Sequence, residues 1–150
     1  MKKVFMALIF VFLLSACSSS SSSEQTVKEW YEAALNQDIE TFEQISSQYE
    51  KIRGRYVEAS SDLAEIVHDL GGTENLEFKE LNKGDIRKEV VGGLDSNYEN
   101  GWTMVMVEPK KDSDENSEDK PPFFWVLDKV DGKYFVLEGA ESPKESVLKE

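Results

Sequence analysis

Thr26-Val27-Lys28-Glu29-Trp30-Tyr31-Glu32-Ala33-Ala34-Leu35-Asn36-Gln37-Asp38-Ile39-Glu40-Thr41-Phe42 decides the fold class. Thr26 and Glu29 have the Thr-x-x-Glu form of a capping box, which predicts a helix opening at Thr26. Val27, Trp30, Tyr31, Ala34 and Leu35 then recur at the spacing of one apolar helical face. Asn36-Gln37-Asp38 breaks the pattern, and Asp38 is suited to cap a second helix carrying Ile39, Phe42, Ile45 and Tyr49. Two amphipathic helices in succession each need an apolar surface to cover.

Downstream, a third stripe runs through Leu63, Ile66, Val67 and Leu70 and stops at Gly71-Gly72, as a helix C-terminus does. The basic stretch from Lys51 to Arg55 surrounds Gly54 and reads as a turn or as a break in a longer helix. Beyond Gly72 the period shortens towards alternation. Leu76, Phe78 and Leu81 mark a strand, and Val90-Val91-Gly92-Gly93 reads as a short strand or turn. Trp102 to Val107 is a strand ended by Pro109. Phe123–Leu127 and Tyr134–Leu137 flank Asp131-Gly132, a two-residue hairpin signal. Alternation then sets Trp125 and Leu127 on one face and Phe124 and Val126 on the other. From Glu141 the chain turns polar, with Val147 and Leu148 allowing a short final helix. Helices first and antiparallel strands after define an α+β domain, its N-terminal helices packed on a curved antiparallel sheet.

Upstream of the domain, Lys2 and Lys3 precede an 11-residue apolar run, Val4 to Leu14, closed by Leu14-Ser15-Ala16-Cys17. Basic residues, a short apolar core and small residues are the layout of a secretory signal peptide, and the run falls well below the roughly 20 residues of a spanning helix. Leu-Ser-Ala-Cys resembles the lipobox of bacterial lipoproteins. That resemblance implies diacylglycerol on the Cys17 thiol, removal of residues 1–16, and Cys17 as the first mature residue. Cys17 is the only cysteine, so an intramolecular disulfide is excluded and an unmodified exported thiol would be a liability. The resulting division is signal peptide 1–16, lipidated Cys17 and serine-rich tether 17–25, α+β domain 26–140 and polar tail 141–150. The tether, about eight residues long, would span about 15–17 Å as a coil.

Charge narrows the partners. The whole chain has 17 basic and 30 acidic residues, and losing Lys2 and Lys3 takes the net charge from −13 to −15. Such a surface repels nucleic-acid phosphates and anionic headgroups, so nucleic acid is not an expected partner. Attachment to the membrane would come from the two acyl chains on Cys17 rather than from a basic patch.

The opening segment Thr26–Phe42 also resembles the start of NTF2-like (cystatin-like, cone-shaped) domains: an amphipathic helix with paired aromatics, an alanine-leucine pair, a polar break with Asp, and a second short helix. Asp131-Gly132-Lys133-Tyr134-Phe135-Val136 resembles their final hairpin, with Tyr134 where tryptophan is more usual. The small NTF2-like lipoproteins of bacteria share this likeness together with the lipobox and tether. The resemblance implies a cone-shaped fold; it does not transfer an activity.

Candidate chemistry is sparse. His68 is the only histidine and lies one turn from the end of the third helix, where a cationic side chain suits the helix dipole. Tyr31 aligns with a pocket-facing aromatic of the resembled family, but no Asp–His or Tyr–Asp pair has family spacing. Asp112, Asp114 and Asn116 fit positions 1, 3 and 5 of an EF-hand loop, yet Ser117 stands where glycine is needed and Phe123 where a bidentate glutamate belongs. This acidic stretch reads instead as a solvated loop joining two strands. Trp30, Tyr31, Trp102, Phe124, Trp125, Tyr134 and Phe135 are expected mainly in the core. These features predict a non-enzymatic binding or assembly module on the extracytoplasmic face of the cell membrane, lipid-anchored through Cys17, with an envelope protein or small ligand as partner. No catalytic, cofactor-binding or metal-binding residue is assigned. The alternative is a small-molecule binder or enzyme using the cone pocket.

Overall fold

The computed structural model describes residues 21–98, 101–111 and 120–150. Cys17, the expected signal peptide 1–16 and the acidic stretch 112–119 lie outside the described residues. The domain is α+β: three helices, α1 (Ser23–Leu35), α2 (Ile39–Ser46) and α3 (Tyr56–Asp69), precede a four-stranded antiparallel sheet. Its strands β1 (Leu76–Leu81), β2 (Thr103–Pro109), β3 (Phe123–Val130) and β4 (Lys133–Glu141) pair in sequence order. Helices α4 (Lys88–Asn97) and α5 (Lys144–Val147) complete it.

Helix α1 starts one turn earlier than the Thr26 capping box predicts. Ser22 is the cap, its Oγ accepting from the Gln25 N–H at 3.1 Å, while the Thr26 hydroxyl donates back to the Ser22 carbonyl. Ser22-x-x-Gln25 is itself of capping-box form, and tertiary contacts select it over Thr26. The extra turn buries Ser23, whose hydroxyl donates to Glu80, and brings the Glu24 carboxylate to 2.9 Å from the Glu80 N–H on the free edge of β1. The last serines of the run therefore belong to the folded domain rather than to a spacer. Asp38 caps α2 as the sequence implies, accepting from the Thr41 N–H at 3.1 Å. A 3-10 turn, Glu50–Ile52, and Gly54 at φ 78° separate α2 from α3, so the Lys51–Arg55 stretch is a turn.

The two faces of the sheet carry separate cores. On one, Trp125, Leu127, Val105, Val107 and Val136 pack against Val27, Trp30 and Tyr31 of α1, with Phe42 and Leu63 behind. On the other, Met104, Met106, Phe124 and Val126 lie under Ile86, Leu94 and Val147. Alternation along β3 thus sorts its residues as the sequence predicts. Asp131 and Gly132 both have positive φ (51° and 81°), the conformation of a type I′ turn, and they close the β3–β4 hairpin.

One segment differs from its sequence reading. Val90-Val91-Gly92-Gly93 lies within α4, where burial of Leu94 and a 2.7 Å bond from Trp102 Nε1 to Asp95 outweigh the poor helix propensity of the glycines. Lys83 completes that corner, 3.1 Å from Asp95 and 4.2 Å from the centre of the Trp102 ring. In segment 141–150 the short final helix that Val147 and Leu148 allow is present as α5, which buries Val147, and Leu148 bridges to Ile86. Both segments serve one end, covering the second sheet face.

Gly139 pairs with Trp125 across the β3–β4 ladder, and a Cβ there would fall 2.0 Å from the Trp125 ring. Gly93 is the opposite case, helical and with open space where a Cβ would go. Gly139→Ala should destabilise by about 1–3 kcal/mol through overpacking, whereas Gly93→Ala should stabilise by about 0.5–1 kcal/mol. Urea unfolding of the two variants measures both signs.

Candidate functional site

The residues flagged in the sequence do not converge. His68 projects from α3 with its side chain 86% exposed, 3.8 Å from Asp69. Tyr31 is buried in the main core, its Oη accepting a 2.7 Å bond from Trp125 Nε1. The EF-hand-like positions Asp112, Asp114 and Asn116, and Cys17, lie outside the described residues. Among the described residues no cluster of histidine, cysteine or carboxylate is arranged to hold a metal ion. No helix among them is long and apolar enough to cross a membrane.

What the fold does build is a small cleft where the helical layer fails to close over the sheet. Helix α2 ends at Ser46 and the chain turns away through Glu50–Ile52, so α3 meets the sheet with a gap. The gap, about 170 Å³, is lined by Trp30, Phe42, Tyr49, Leu63, Ile66 and Trp125, with Asp62 and Phe123 at its border. Its floor is aromatic. Trp30 stacks on Phe42 at 5.1 Å and meets Trp125 edge-on at 4.8 Å, geometries favoured by ring quadrupoles. The indole N–H of Trp30 is buried and, among the described residues, has no hydrogen-bond partner. Burying a donor without a partner carries a desolvation cost, about 1–3 kcal/mol. Sequence reading missed this donor because the helical period placed Trp30 in the core without showing which side of the ring meets an acceptor.

A second, wider groove of about 430 Å³ lies at the end of the domain where the chain enters. Ser21 and Thr26, at the start of α1, share it with Gln44 and Ile45 of α2 and with the hairpin residues Asp131 to Phe135. The described residues expose two large aliphatic side chains, Val57 at 65% and Val130 at 38%, and Val130 stands at this hairpin.

Three tyrosines have their ionisation suppressed. Burial raises Tyr31 far above the ordinary phenol value, against a smaller opposing effect from its bond to Trp125. Tyr49 is raised by burial, with a hydrogen bond to the Gly139 backbone opposing and the charge of Glu138 reinforcing. Tyr98 is pushed up to about 12, by burial first and then by the charge and hydrogen bond of Glu138. These are phenols held neutral by their surroundings rather than poised to exchange protons near neutrality.

No family model matches the chain, and no curated protein or solved structure does.

The tyrosine shifts fix an alkaline limit to stability. With the folded values raised, the native state keeps its phenolic protons while the unfolded chain loses them above roughly pH 10. Stability should therefore be intact below that pH and fall as pH climbs through the folded values. Urea midpoints at increasing pH measure the slope. Tyr31→Phe should make it shallower, while lowering stability at neutral pH by about 1–3 kcal/mol because Trp125 Nε1 loses its acceptor.

Proposed function

We propose that this chain is an envelope lipoprotein whose NTF2-like domain works by binding rather than by catalysis. In this reading residues 1–16 are a signal peptide, Cys17 carries the lipid, and the domain is held at the extracytoplasmic face of the cell membrane. The observation that carries the anchor is the lone cysteine in Leu14-Ser15-Ala16-Cys17, five residues before the cap of the first helix at Ser22. The order of helices followed by a four-stranded antiparallel sheet fits the NTF2-like likeness. The candidate binding site is the apolar cleft over Trp125. Its volume is well under the roughly 300 Å³ at which ordinary ligand pockets begin. It suits a single apolar group, such as one side chain of an envelope protein partner.

A second reading follows from Trp30. An apolar cleft with one unpaired donor also suits a small molecule that presents a hydrogen-bond acceptor beside an aliphatic body.

For the anchor, Cys17→Ser should block lipid transfer and the cleavage that follows it. Replacing residues 1–17 by a non-lipoprotein signal peptide should release a domain of unchanged stability into the soluble fraction. A released domain that still pelleted with membranes after a high-salt wash would refute the lipid as sole attachment. For the cleft, a short aliphatic ketone should shift the Trp30 indole N–H resonance more than an alkane of equal size does. Equal shifts, or none at millimolar probe, would count against a ligand that uses this donor.

A further inference from the structure

The strand register gives the sheet two distinct ends. Phe78, Val107, Phe123 and Glu141 are level with one another near one end, where β2 leaves and β3 begins. Leu81, Met104 and Val126 are level towards the other, and β3 runs on past them to the Asp131-Gly132 turn. Helix α1 starts at this second end, since Ser23 and Glu24 both bond to Glu80 and Ser21 shares a groove with the turn. Lys111 and Lys120, which flank the acidic stretch 112–119 in sequence, lie at the first end beside Pro109, Pro121 and Pro122. The chain therefore enters the domain beside the hairpin turn, and Lys111 and Lys120 stand at the opposite pole.

We infer that the tip of the β3–β4 hairpin, Lys129 to Tyr134, is the surface on which the domain rests against the phospholipid headgroups of the membrane that anchors it. This rests on the reading of Cys17 as the lipidated residue. Five residue steps separate Cys17 from Ser22, a reach of about 17–18 Å even when fully extended. With so short a tether, the pole that holds Ser22 must face the bilayer. The tip has the chemistry of an interfacial contact. Val130 is exposed, Lys129 lies 5.0 Å from the centre of the Tyr134 ring, and Lys133 is exposed beside it. Aromatic rings and snorkelling lysines suit the headgroup level.

With two lysines against Asp131, the tip from Lys129 to Tyr134 has a net charge of +1 where the whole chain is at −13. It can meet an anionic leaflet without the repulsion the rest of the surface would bring. The eight residues of β3 carry the opposite pole about 23–26 Å further out, some three Debye lengths at physiological salt. The tip orients the domain; the lipid holds it.

Lysine footprinting tests the inference on the native mature protein, purified from membranes and reconstituted into phosphatidylglycerol–phosphatidylcholine vesicles. Acylation of Lys129 and Lys133 should slow several-fold relative to the same protein in detergent, while Lys111 and Lys120 react equally in both. Equal reactivity at all four, or protection of Lys111 and Lys120 instead, overturns the orientation. The mass of the N-terminal peptide in the same digests reports the state of Cys17. A lipidated Cys17 with an unprotected hairpin defeats the orientation alone, whereas an unmodified Cys17 defeats the anchor on which it rests.

Discussion

The indole of Trp125 is the piece around which the helical face of the sheet is assembled. Its N–H bonds to Tyr31, its ring receives the edge of Trp30, and Phe123 stacks parallel to it 5.9 Å away. None of this is possible unless the residue opposite on β4 lacks a side chain, which is the condition Gly139 meets. The constraint travels further through a register shift between Val126 and Leu127. Leu127 pairs with Val136 and Val126 with Glu138, leaving Leu137 as the extra residue of a bulge. Val136 and Gly139 thereby reach the helical face together, while Leu137 packs with the second core. A bulge re-aims side chains without breaking the strand, and here it reconciles one close aromatic contact with two filled faces.

Covering both faces explains why a domain with no disulfide can stand on packing. A sheet with one open face would leave Met104, Met106, Phe124 and Val126 to water. Helix α4 and the C-terminal segment remove that surface from solvent. At the edge of β1, the Glu24 carboxylate occupies a strand N–H that would otherwise be free to pair with another chain. A charged cap of this kind lets an open sheet end without inviting a partner strand.

Much of the architecture was legible in the chain because it depends on local period. The stripe Val27–Leu35, the cap at Asp38, the stop at Gly71-Gly72 and the alternation around Trp125 are decided by residues within a few positions of one another. The misread parts are decided by distant ones. Ser22 outcompetes Thr26 as a cap because Glu80, far along the chain, rewards the earlier start. Val90 to Gly93 is helical because Trp102 and Leu94 give that helix a surface and a bond, not because glycine favours it. A cone pocket is expected only from the resemblance; the place and lining of the cleft could not be read from the residues, since it is a gap between α3 and the sheet and no residue type announces a gap. The unpaired Trp30 N–H belongs to the same class: a period places the side chain, and only the finished packing shows what its polar atom lacks.

Helix α4 is held less by its own backbone than by what lies beneath it. Two adjacent glycines with open space around them give it little intrinsic preference for the helical state. Local opening of a folded protein draws on such segments, at a free energy below that of global unfolding. When α4 lifts, the side chains uncovered are those of the second core, and two of them are thioethers, Met104 and Met106. Oxidation of either to the sulfoxide would put a polar, chiral group where an apolar one had packed, and the helix could not settle back as before. A buried face of the sheet thus holds its most oxidisable side chains, under a helix whose hold is weakened by two glycines.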